Sequence, residues 1–204
     1  MFFKQIQQHG DNFSYLIADK TIGEAVVVDS SFNSGTILQT LKDNSLVLKY
    51  IINTHEHPDH IAGNSELQSM LNAKIVAYKY SRVHFDIGVD DLDVIRVGEV
   101  SIKVIYTPGH TKDSISLLVG NKKLLTGDTL FVGECGRTDL PGGSSEELYN
   151  SLFNKLLNLY DNVEVYPGHD YGNRKFSTIG QEKATNYTLK PRTIENFIKF
   201  MNGS

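Results

Sequence analysis

The chain has few cysteines and no excess of basic residues, two features that mark particular protein classes. Its single cysteine cannot form an internal disulfide, which excludes a fold held by disulfides. Lysine and arginine (20) are fewer than aspartate and glutamate (24), and the formal net charge is -4. A surface that follows nucleic-acid phosphates needs an excess of positive charge, so we expect no nucleic-acid partner.

Long apolar runs are also missing. No segment is long and apolar enough to span a bilayer, and we expect no membrane partner. The first residues, Met1 to Gln5, lack a basic region followed by a long apolar stretch. These features together predict a cytoplasmic protein.

What remains is the composition of an ordinary globular protein. Hydrophobic residues make up 40% of the 204 positions and charged residues 22%, enough to bury a sizeable core. No internal repeat, low-complexity tract or linker divides the chain. We therefore predict one domain over residues 1–204. A homodimer is compatible with the sequence, which does not fix the oligomeric state.

The segment Thr54–His60 is the richest in metal-binding chemistry. It follows the apolar, β-branched run Val47–Asn53, which predicts a buried strand ending at the edge where α/β proteins build their sites. Imidazole nitrogen and carboxylate oxygen suit zinc, iron or manganese. The spacing allows one ion between the first two of these residues and another between the last two: His55, His57, Asp59 and His60.

Three later segments repeat one pattern, in which a histidine or aspartate beside glycine follows an apolar run. They are Thr107–Thr111, Thr126–Thr129 and Tyr166–Tyr171, and they carry His110, Asp128 and His169. Proline and glycine fix tight turns, which hold a side chain toward a common edge with little conformational freedom. We predict that these residues complete the metal site.

The order of these seven residues closely resembles that of the metallo-β-lactamase fold superfamily, over nearly the whole chain. The resemblance implies an α/β protein with the four-layer αββα sandwich of that fold. It also implies one site from His55, His57 and His110, a second from Asp59, His60 and His169, and a bridging carboxylate from Asp128. It argues for an enzyme over a binding module that merely keeps the fold.

Two branches of the superfamily are compatible with the chain. The strings Cys135–Asp139 and His169–Tyr171, and the tail Ser177–Asn186, resemble the glutathione persulfide dioxygenases. Glyoxalase II, the hydroxyacylglutathione hydrolase, is similar but has a large helical C-terminal domain, whereas only 35 residues (204 minus 169) follow His169 here. Pro58, usually alanine in the dioxygenases, and Ile61–Asn64 favour the hydrolase. We expect the dioxygenase, with a dinuclear thioester hydrolase as the alternative.

The two branches imply different metals. The dioxygenase resemblance implies one Fe(II) held by His55, His110 and Asp128, the two-histidine, one-carboxylate set that leaves positions open for persulfide sulfur and O2. The other histidines and Asp59 would then orient those ligands. The hydrolase resemblance implies two divalent ions (zinc, iron or manganese) and a bridging water, with Asp59 as both ligand and catalytic proton acceptor.

The resemblance also implies a small-molecule thiol conjugate as substrate. Arg137 and Tyr171 would line its pocket, and the planar guanidinium can bind a carboxylate such as the glycyl end of glutathione. The alternative for Arg137 is a contact with Asp139 or the backbone that fixes the loop. Cys135 is expected to be a packed thiol and not a nucleophile, because metal chemistry already supplies the reactive group.

Local patterns predict the elements around the site. Leu148, Leu152, Leu156 and Leu159 predict one helix with a buried stripe, and Ser144 with Glu147 fits a capping box at its start. Another helix is expected to begin near His60 and to contain Leu67, Met70 and Leu71.

Overall fold

The computed structural model describes residues 1–203, in which twelve strands form two six-stranded sheets. The first sheet has the order β1-β2-β3-β4-β5-β6 and contains Phe2–Gln7 (β1), Phe13–Asp19 (β2), Glu24–Val28 (β3), Val47–Ile52 (β4), Lys74–Tyr78 (β5) and Ile87–Val89 (β6). The second has the order β12-β11-β10-β9-β8-β7 and contains Val94–Val97 (β7), Val100–Tyr106 (β8), Ile115–Val119 (β9), Lys123–Gly127 (β10), Glu164–Pro167 (β11) and Ser177–Thr178 (β12).

Both sheets combine parallel and antiparallel strands. In the first sheet β1, β2 and β3 are antiparallel, while β3 to β6 run parallel. In the second sheet β10 and β11 are parallel and the other pairs antiparallel. The run Ala25–Val28 within β3 is apolar throughout because both faces of that strand are covered.

The main core lies between the two sheets. Tyr15, Ile17 and Ile52 of the first sheet pack in one cluster with Ile102 and Leu117 of the second. These five side chains are at most 2% exposed. Burial of such large side chains supplies most of the free energy that holds the sheets together.

Helices cover both outer faces. They are Ser34–Asp43 (α1), Pro58–Ile61 (α2), Asn64–Leu71 (α3), Ser145–Tyr149 (α4), Ile179–Thr185 (α5) and Ile194–Met201 (α6). Ile37 and Leu67, from α1 and α3, pack on the first sheet. Leu148 and Phe197, from α4 and α6, pack on the second. The order helix, sheet, sheet, helix confirms the predicted αββα sandwich.

The helix predicted after Ser144 is not continuous. The α-helical turn α4 passes into a π-helix over Asn150–Lys155 and a 3-10 turn over Leu156–Asn158, and Leu159 lies beyond the end. Within the π-helix the Ser151 hydroxyl donates to the carbonyl of Pro108 at 2.6 Å. The segment is thereby fixed against the turn that carries His110. Half of the predicted capping box is confirmed, since the Ser144 hydroxyl accepts from the backbone N–H of Glu147. The Ser144 N–H donates instead to the Gly109 carbonyl.

The helix predicted from His60 is also divided, into α2 and α3. The chain bends at Ala62 and Gly63, where a side chain on Gly63 would lie 2.7 Å from the Ser34 hydroxyl. Leu67 of this segment is buried, whereas Met70 is 60% exposed. Strands β6 and β12 were not predicted, because three and two residues are too short to show a pattern. Among residues 1–203, no helix has the length and apolar character needed to cross a membrane.

Candidate metal centre

The seven predicted ligands lie at one edge of the sandwich, where strands of both sheets end. The segment from His55 to His60 follows β4 of the first sheet. His110, Asp128 and His169 follow β8, β10 and β11 of the second sheet. The structure thus brings together residues from four separate segments, as the repeated strand-then-turn pattern predicts.

One group of four side chains surrounds a single point. His55, His57, His110 and Asp128 each offer one donor atom, and these atoms all lie within 4.8 Å of one another. The Nδ1 atom of His57 is 3.0 Å from Nε2 of His55 and 3.0 Å from Nε2 of His110. Asp128 Oδ2 lies 3.6 Å from the same His110 nitrogen.

A second group lies beside the first. Its donors come from Asp59, His60 and His169, again all within 4.8 Å. His60 Nε2 and His169 Nε2 are 3.2 Å apart, and Asp59 Oδ2 lies 3.5 Å and 3.4 Å from them. Asp128 Oδ1 is 3.4 Å from His60 and its Oδ2 is 3.3 Å from His169. The Asp128 carboxylate therefore lies between the two groups.

These distances suit metal ligation. Nitrogens held about 2.0–2.1 Å from a tetrahedral ion would be about 3.3 Å apart, close to the separations between facing imidazoles here. Within residues 1–203, Asp128 Oδ1 is buried without a hydrogen-bond donor. Buried carboxylate oxygens normally have a partner, so this oxygen has a ligand position to fill. The donor set fits divalent zinc, iron or manganese.

Hydrogen bonds from outside the centre orient four of its five histidines so that Nε2 points toward the other donor atoms. The Nδ1 atoms of His55, His60, His110 and His169 lie 2.9–3.0 Å from Thr54 Oγ1, Asp29 Oδ2, the Arg137 carbonyl and Asp11 Oδ1 respectively. His57 is the exception and points Nδ1 inward. Such partners fix the ring and the tautomer of a metal-binding histidine.

The electrostatics of the metal-free site reflect burial and crowding. Burial lowers the pKa of His55 well below its usual value. Burial alone would also lower the pKa of His60, but Asp128 and Asp29 raise it to about 9. Burial alone would raise the pKa of Asp128, but His60 and His169 hold it well below its usual range. Asp128 is therefore a carboxylate at neutral pH, ready to bind a cation.

Sequence reasoning missed three residues that support the centre. Asp29, at the end of β3, accepts from the backbone N–H and the hydroxyl of Thr54 as well as contacting His60. Asp11 and Asn12 lie between β1 and β2, and the Asn12 amide donates to Asp59 Oδ2 at 2.9 Å. Asp29 follows an apolar strand just as the predicted ligands do, which was the signal that could have found it. Asp11 and Asn12 gave no comparable pattern.

Two glycines let the turns before His110 and His169 approach neighbouring parts of the chain closely. A side chain on Gly168 would lie 2.3 Å from Asp128 Oδ1, inside the centre. Gly109, with φ +137, would meet the Leu148 backbone at 2.3 Å. At both positions only glycine lets the chain approach, which explains the glycine next to His169 and His110.

The predicted substrate residues border one open cavity of about 250 Å³ beside the centre. Tyr171 stacks on His169, with ring centroids 4.9 Å apart and planes at 6°. Partial burial and the nearby Asp11 carboxylate raise the pKa of Tyr171 to about 12, so its hydroxyl stays protonated. Arg137 is directed outward, and its guanidinium donates two 2.6 Å hydrogen bonds to Asp139. The Arg137–Asp139 contact considered as the alternative is thus present.

The tail holds the segment that carries Arg137, here called the Arg137 loop (residues 131–140). Glu182 of α5 is 2% exposed, and its carboxylate accepts from the Gly133 backbone N–H at 2.9 Å and from the Asn186 amide at 2.8 Å. The Asn186 amide also donates to the Glu134 carbonyl. These contacts connect the tail to the substrate side of the site, which sequence reasoning did not anticipate.

Cys135, also in this loop, is 6% exposed and packs near Met201. Burial raises the pKa of its thiol to about 11. A protonated, enclosed thiol is a poor nucleophile, in line with the expected packing role.

Comparisons with known proteins agree with this geometry. The family model of the metallo-beta-lactamase superfamily matches residues 9–169. The chain is 34% identical to the mitochondrial persulfide dioxygenase ETHE1 of Homo sapiens, over 93% of this chain and 75% of that protein. It is 36% identical to a hydroxyacylglutathione hydrolase of Pelagibacter ubique, over 91% of this chain and 78% of that protein.

A solved structure resembles the chain along nearly its full length. The crystal structure of ETHE1 from Myxococcus xanthus superposes with a TM-score of 0.94 and 36% sequence identity, covering 99% of this chain and 90% of that one. The fold, the strand-end metal donors and the family match all lead to one assignment. The chain belongs to the metallo-beta-lactamase superfamily.

Proposed function

We propose that this enzyme is a persulfide dioxygenase, which oxidises the outer sulfur of glutathione persulfide or a similar small persulfide with O2. The observation that carries the proposal is the full-length similarity to ETHE1, including the tail. Residues after His169 form β12, α5 and α6, which pack on the second sheet, and the M. xanthus protein superposes over 99% of this chain.

In this proposal His55, His110 and Asp128 hold Fe(II). When bound there, Fe(II) supplies adjacent open positions for the persulfide sulfur and O2. His57, His60, His169 and Asp59 orient the site, through the contacts described above. Tyr171 presents a protonated hydroxyl from the wall of the cavity, and it can donate a hydrogen bond to the bound sulfur compound.

Arg137 would bind the carboxylate of the substrate in the same cavity. To do so its guanidinium must exchange Asp139 for the ligand. Both side chains of that pair are more than 60% exposed, so the exchange needs no rearrangement of the core. An exposed ion pair contributes little to stability, which makes the exchange readily reversible.

A dinuclear thioester hydrolase is the second candidate, and a specific observation favours it. All seven donors fall into two neighbouring groups, each with enough ligands for an ion. Two zinc, iron or manganese ions held by these groups would supply an acidified water. Asp59 would then be a ligand and accept the proton of that water. The Asn12 amide donates to Oδ2 of Asp59, the oxygen that faces His60 and His169, and so holds this oxygen at the second group.

Metal analysis with two assays decides between the candidates. We expect anaerobically purified protein to hold about one iron per chain, to consume O2 with glutathione persulfide, and to leave S-lactoylglutathione intact. Two zinc ions per chain with thioester cleavage and no oxygen uptake would contradict the dioxygenase. Weak, sub-stoichiometric metal with neither activity would contradict both candidates.

The cytoplasmic location remains part of the proposal. The name of the human relative describes a mitochondrial protein, and that location is a property of the relative. Fractionation of cells that express this chain, followed by detection with an antibody, would test the proposal.

A further inference from the structure

A second cavity opens at the edge of the sandwich that carries the metal centre, since Tyr78 ends β5, Tyr106 ends β8 and Glu56 follows β4. It has a volume of about 310 Å³ and is lined by Glu56, Tyr78, Arg82, Tyr106, Lys112 and Asp113, among others. We call it the tyrosine cavity. None of the proposed iron ligands lines it. It also shares no lining residue with the cavity beside Arg137 and Tyr171, here called the Arg137 cavity.

The tyrosine cavity lies within one or two residues of the centre along the chain. Glu56 lies between the ligands His55 and His57, and Lys112 lies two positions past His110. His110 itself borders the Arg137 cavity. Because consecutive Cα atoms are about 3.8 Å apart, residues of both cavities lie next to proposed ligands, and the two cavities have no lining residue in common.

The walls of the tyrosine cavity are preformed. Tyr78 and Tyr106 stack with ring centroids 4.3 Å apart and planes at 9°. The Tyr106 hydroxyl donates to the Lys112 carbonyl at 2.9 Å, which fixes the backbone at the position of that lysine. A ligand would enter a shaped space and would not have to order a loop.

The charges in the tyrosine cavity are of both signs. Among residues 1–203, no side chain forms an ion pair or hydrogen bond with the Lys112 ammonium, the Arg82 guanidinium or the Glu56 carboxylate. Asp113, only 4% exposed, differs because it accepts from the hydroxyls of Ser81 and Thr111. Two free cations and a free carboxylate suit a ligand that itself carries both charges.

We propose that the tyrosine cavity binds the free α-amino-acid end of the thiol conjugate, with Lys112 and Arg82 at its carboxylate and Glu56 at its ammonium. The inference rests on the proposed function, because it needs a thiol at the centre. In glutathione the thiol lies in the middle residue. One arm ends in the glycyl carboxylate, which suits Arg137, and the other in the γ-glutamyl amino acid.

The dimensions and charges agree with this assignment. The γ-glutamyl arm spans about two extended residues, or roughly 7 Å, and the tyrosine cavity begins one residue from the ligands. A coenzyme A conjugate has instead one long arm with several phosphates and no ammonium to pair with Glu56. The tyrosine cavity thus selects for a γ-glutamyl thiol.

Calorimetric titration of the metal-loaded protein tests the inference with unreactive ligands. We expect S-methylglutathione to bind about fivefold or more tightly than S-methyl-cysteinylglycine, which lacks the γ-glutamyl arm. Lys112→Ala should weaken the tripeptide by about three- to tenfold and leave the dipeptide unchanged. The matched control is Lys190→Ala, an exposed lysine in the tail, which should change neither.

A ligand that lacks only the ammonium tests the role of Glu56. The S-methyl conjugate of glutaryl-cysteinylglycine should bind equally to the wild type and to Glu56→Gln, whereas S-methylglutathione should bind more weakly to the variant. Equal binding of tripeptide and dipeptide to the wild type, binding of neither, or equal weakening of both by Lys112→Ala would overturn the inference.

Binding and activity measurements together distinguish failure of the cavity assignment from failure of the proposed function. If the tripeptide preference holds but neither oxygen uptake nor thioester cleavage occurs, the tyrosine cavity is correctly assigned and the reaction is not. If persulfide is oxidised but cysteinylglycine persulfide gives the same KM as glutathione persulfide, the reaction is correct and the assignment of the tyrosine cavity is wrong.

Discussion

The metal centre and the Arg137 loop are neighbours, yet the protein holds them differently. His55, His60 and Asp128 are at most 8% exposed. His55 and Asp128 follow strands, and His60 lies in α2. Arg137 and Asp139 at the end of the loop are more than 60% exposed and contact mainly each other. At its start the loop is attached to the tail through Glu182.

The two regions need their side chains to be positioned with different accuracy. Ligands that must stay within tenths of an ångström are fixed by burial, outer hydrogen bonds and tight turns. Groups that recognise the substrate lie on an exposed loop, where a side chain can exchange partners. Substitutions should therefore cost most at the centre, less where the loop is attached, and least at its exposed end.

Asp128 should give the largest effect. We expect Asp128→Ala to remove the metal and to lower activity by orders of magnitude, because this buried carboxylate lies between both donor groups. Metal content by mass spectrometry and initial rates measure the result. Asp139→Ala in the Arg137 loop is the control and should keep its metal. Full metal content in Asp128→Ala would contradict the ligand assignment.

Asp59 should give a smaller loss, because its side chain is 34% exposed and belongs to the group without the proposed iron. In the dioxygenase, Asp59→Ala should keep iron and lose activity about 10–100-fold, the usual cost of damaging the surroundings of a metal. In the dinuclear hydrolase the loss should be orders of magnitude. Loss of iron together with all oxygen uptake would contradict the three-ligand assignment.

The centre was more predictable from sequence than its supports, and the reason is physical. Each ligand is recognisable from its residue type and its place after an apolar strand. Asp29 and Asp11 act through contacts with His60 and His169, which are 31 and 158 positions away, and no local pattern encodes such contacts.

The fold shows the same limit. Apolar runs predicted the strands that end at the ligands, and the leucine spacing predicted the helix after Ser144. A spacing of four residues between Leu148, Leu152 and Leu156 fits α and π turns alike, so the π-helix was not predictable. The Ser151 hydrogen bond to Pro108 depends on tertiary packing. The predicted single domain and the roles of Arg137 and Tyr171 remain predictions.

The attachment of the loop to the tail should give an intermediate effect. Glu182→Ala leaves the Gly133 N–H and the Asn186 amide without their shared acceptor, and we expect unfolding to become easier by about 1–3 kcal/mol. The Arg137 loop should loosen, so KM for the persulfide should rise while metal content stays unchanged. Chemical denaturation and steady-state rates measure both.

An exposed carboxylate of the tail provides the control for Glu182. Glu195→Ala, on the exposed side of α6, should change the free energy of unfolding by less than about 0.5 kcal/mol. If Glu182→Ala lowers stability without raising KM, the tail supports the fold and not the substrate side of the site.

Arg137 should give the smallest change and the sharpest test of what the exposed end of the loop does. Arg137→Lys keeps the charge but loses the planar fork that can bind a carboxylate through two hydrogen bonds. If the fork binds substrate, KM for a glutathione substrate should rise several-fold. Metal content and melting temperature should stay nearly unchanged, because the pair with Asp139 is exposed and the Arg137 carbonyl still accepts from His110.

Asp139→Asn separates the two roles of the guanidinium. Without the competing carboxylate, Arg137 is free for the substrate, so KM in this variant should fall or stay constant while Arg137→Lys raises it. If instead both variants lower the melting temperature and neither changes KM, the pair fixes the loop. The carboxylate of the substrate is then bound elsewhere, and exposure at the end of the loop reflects a structural contact and not a recognition site.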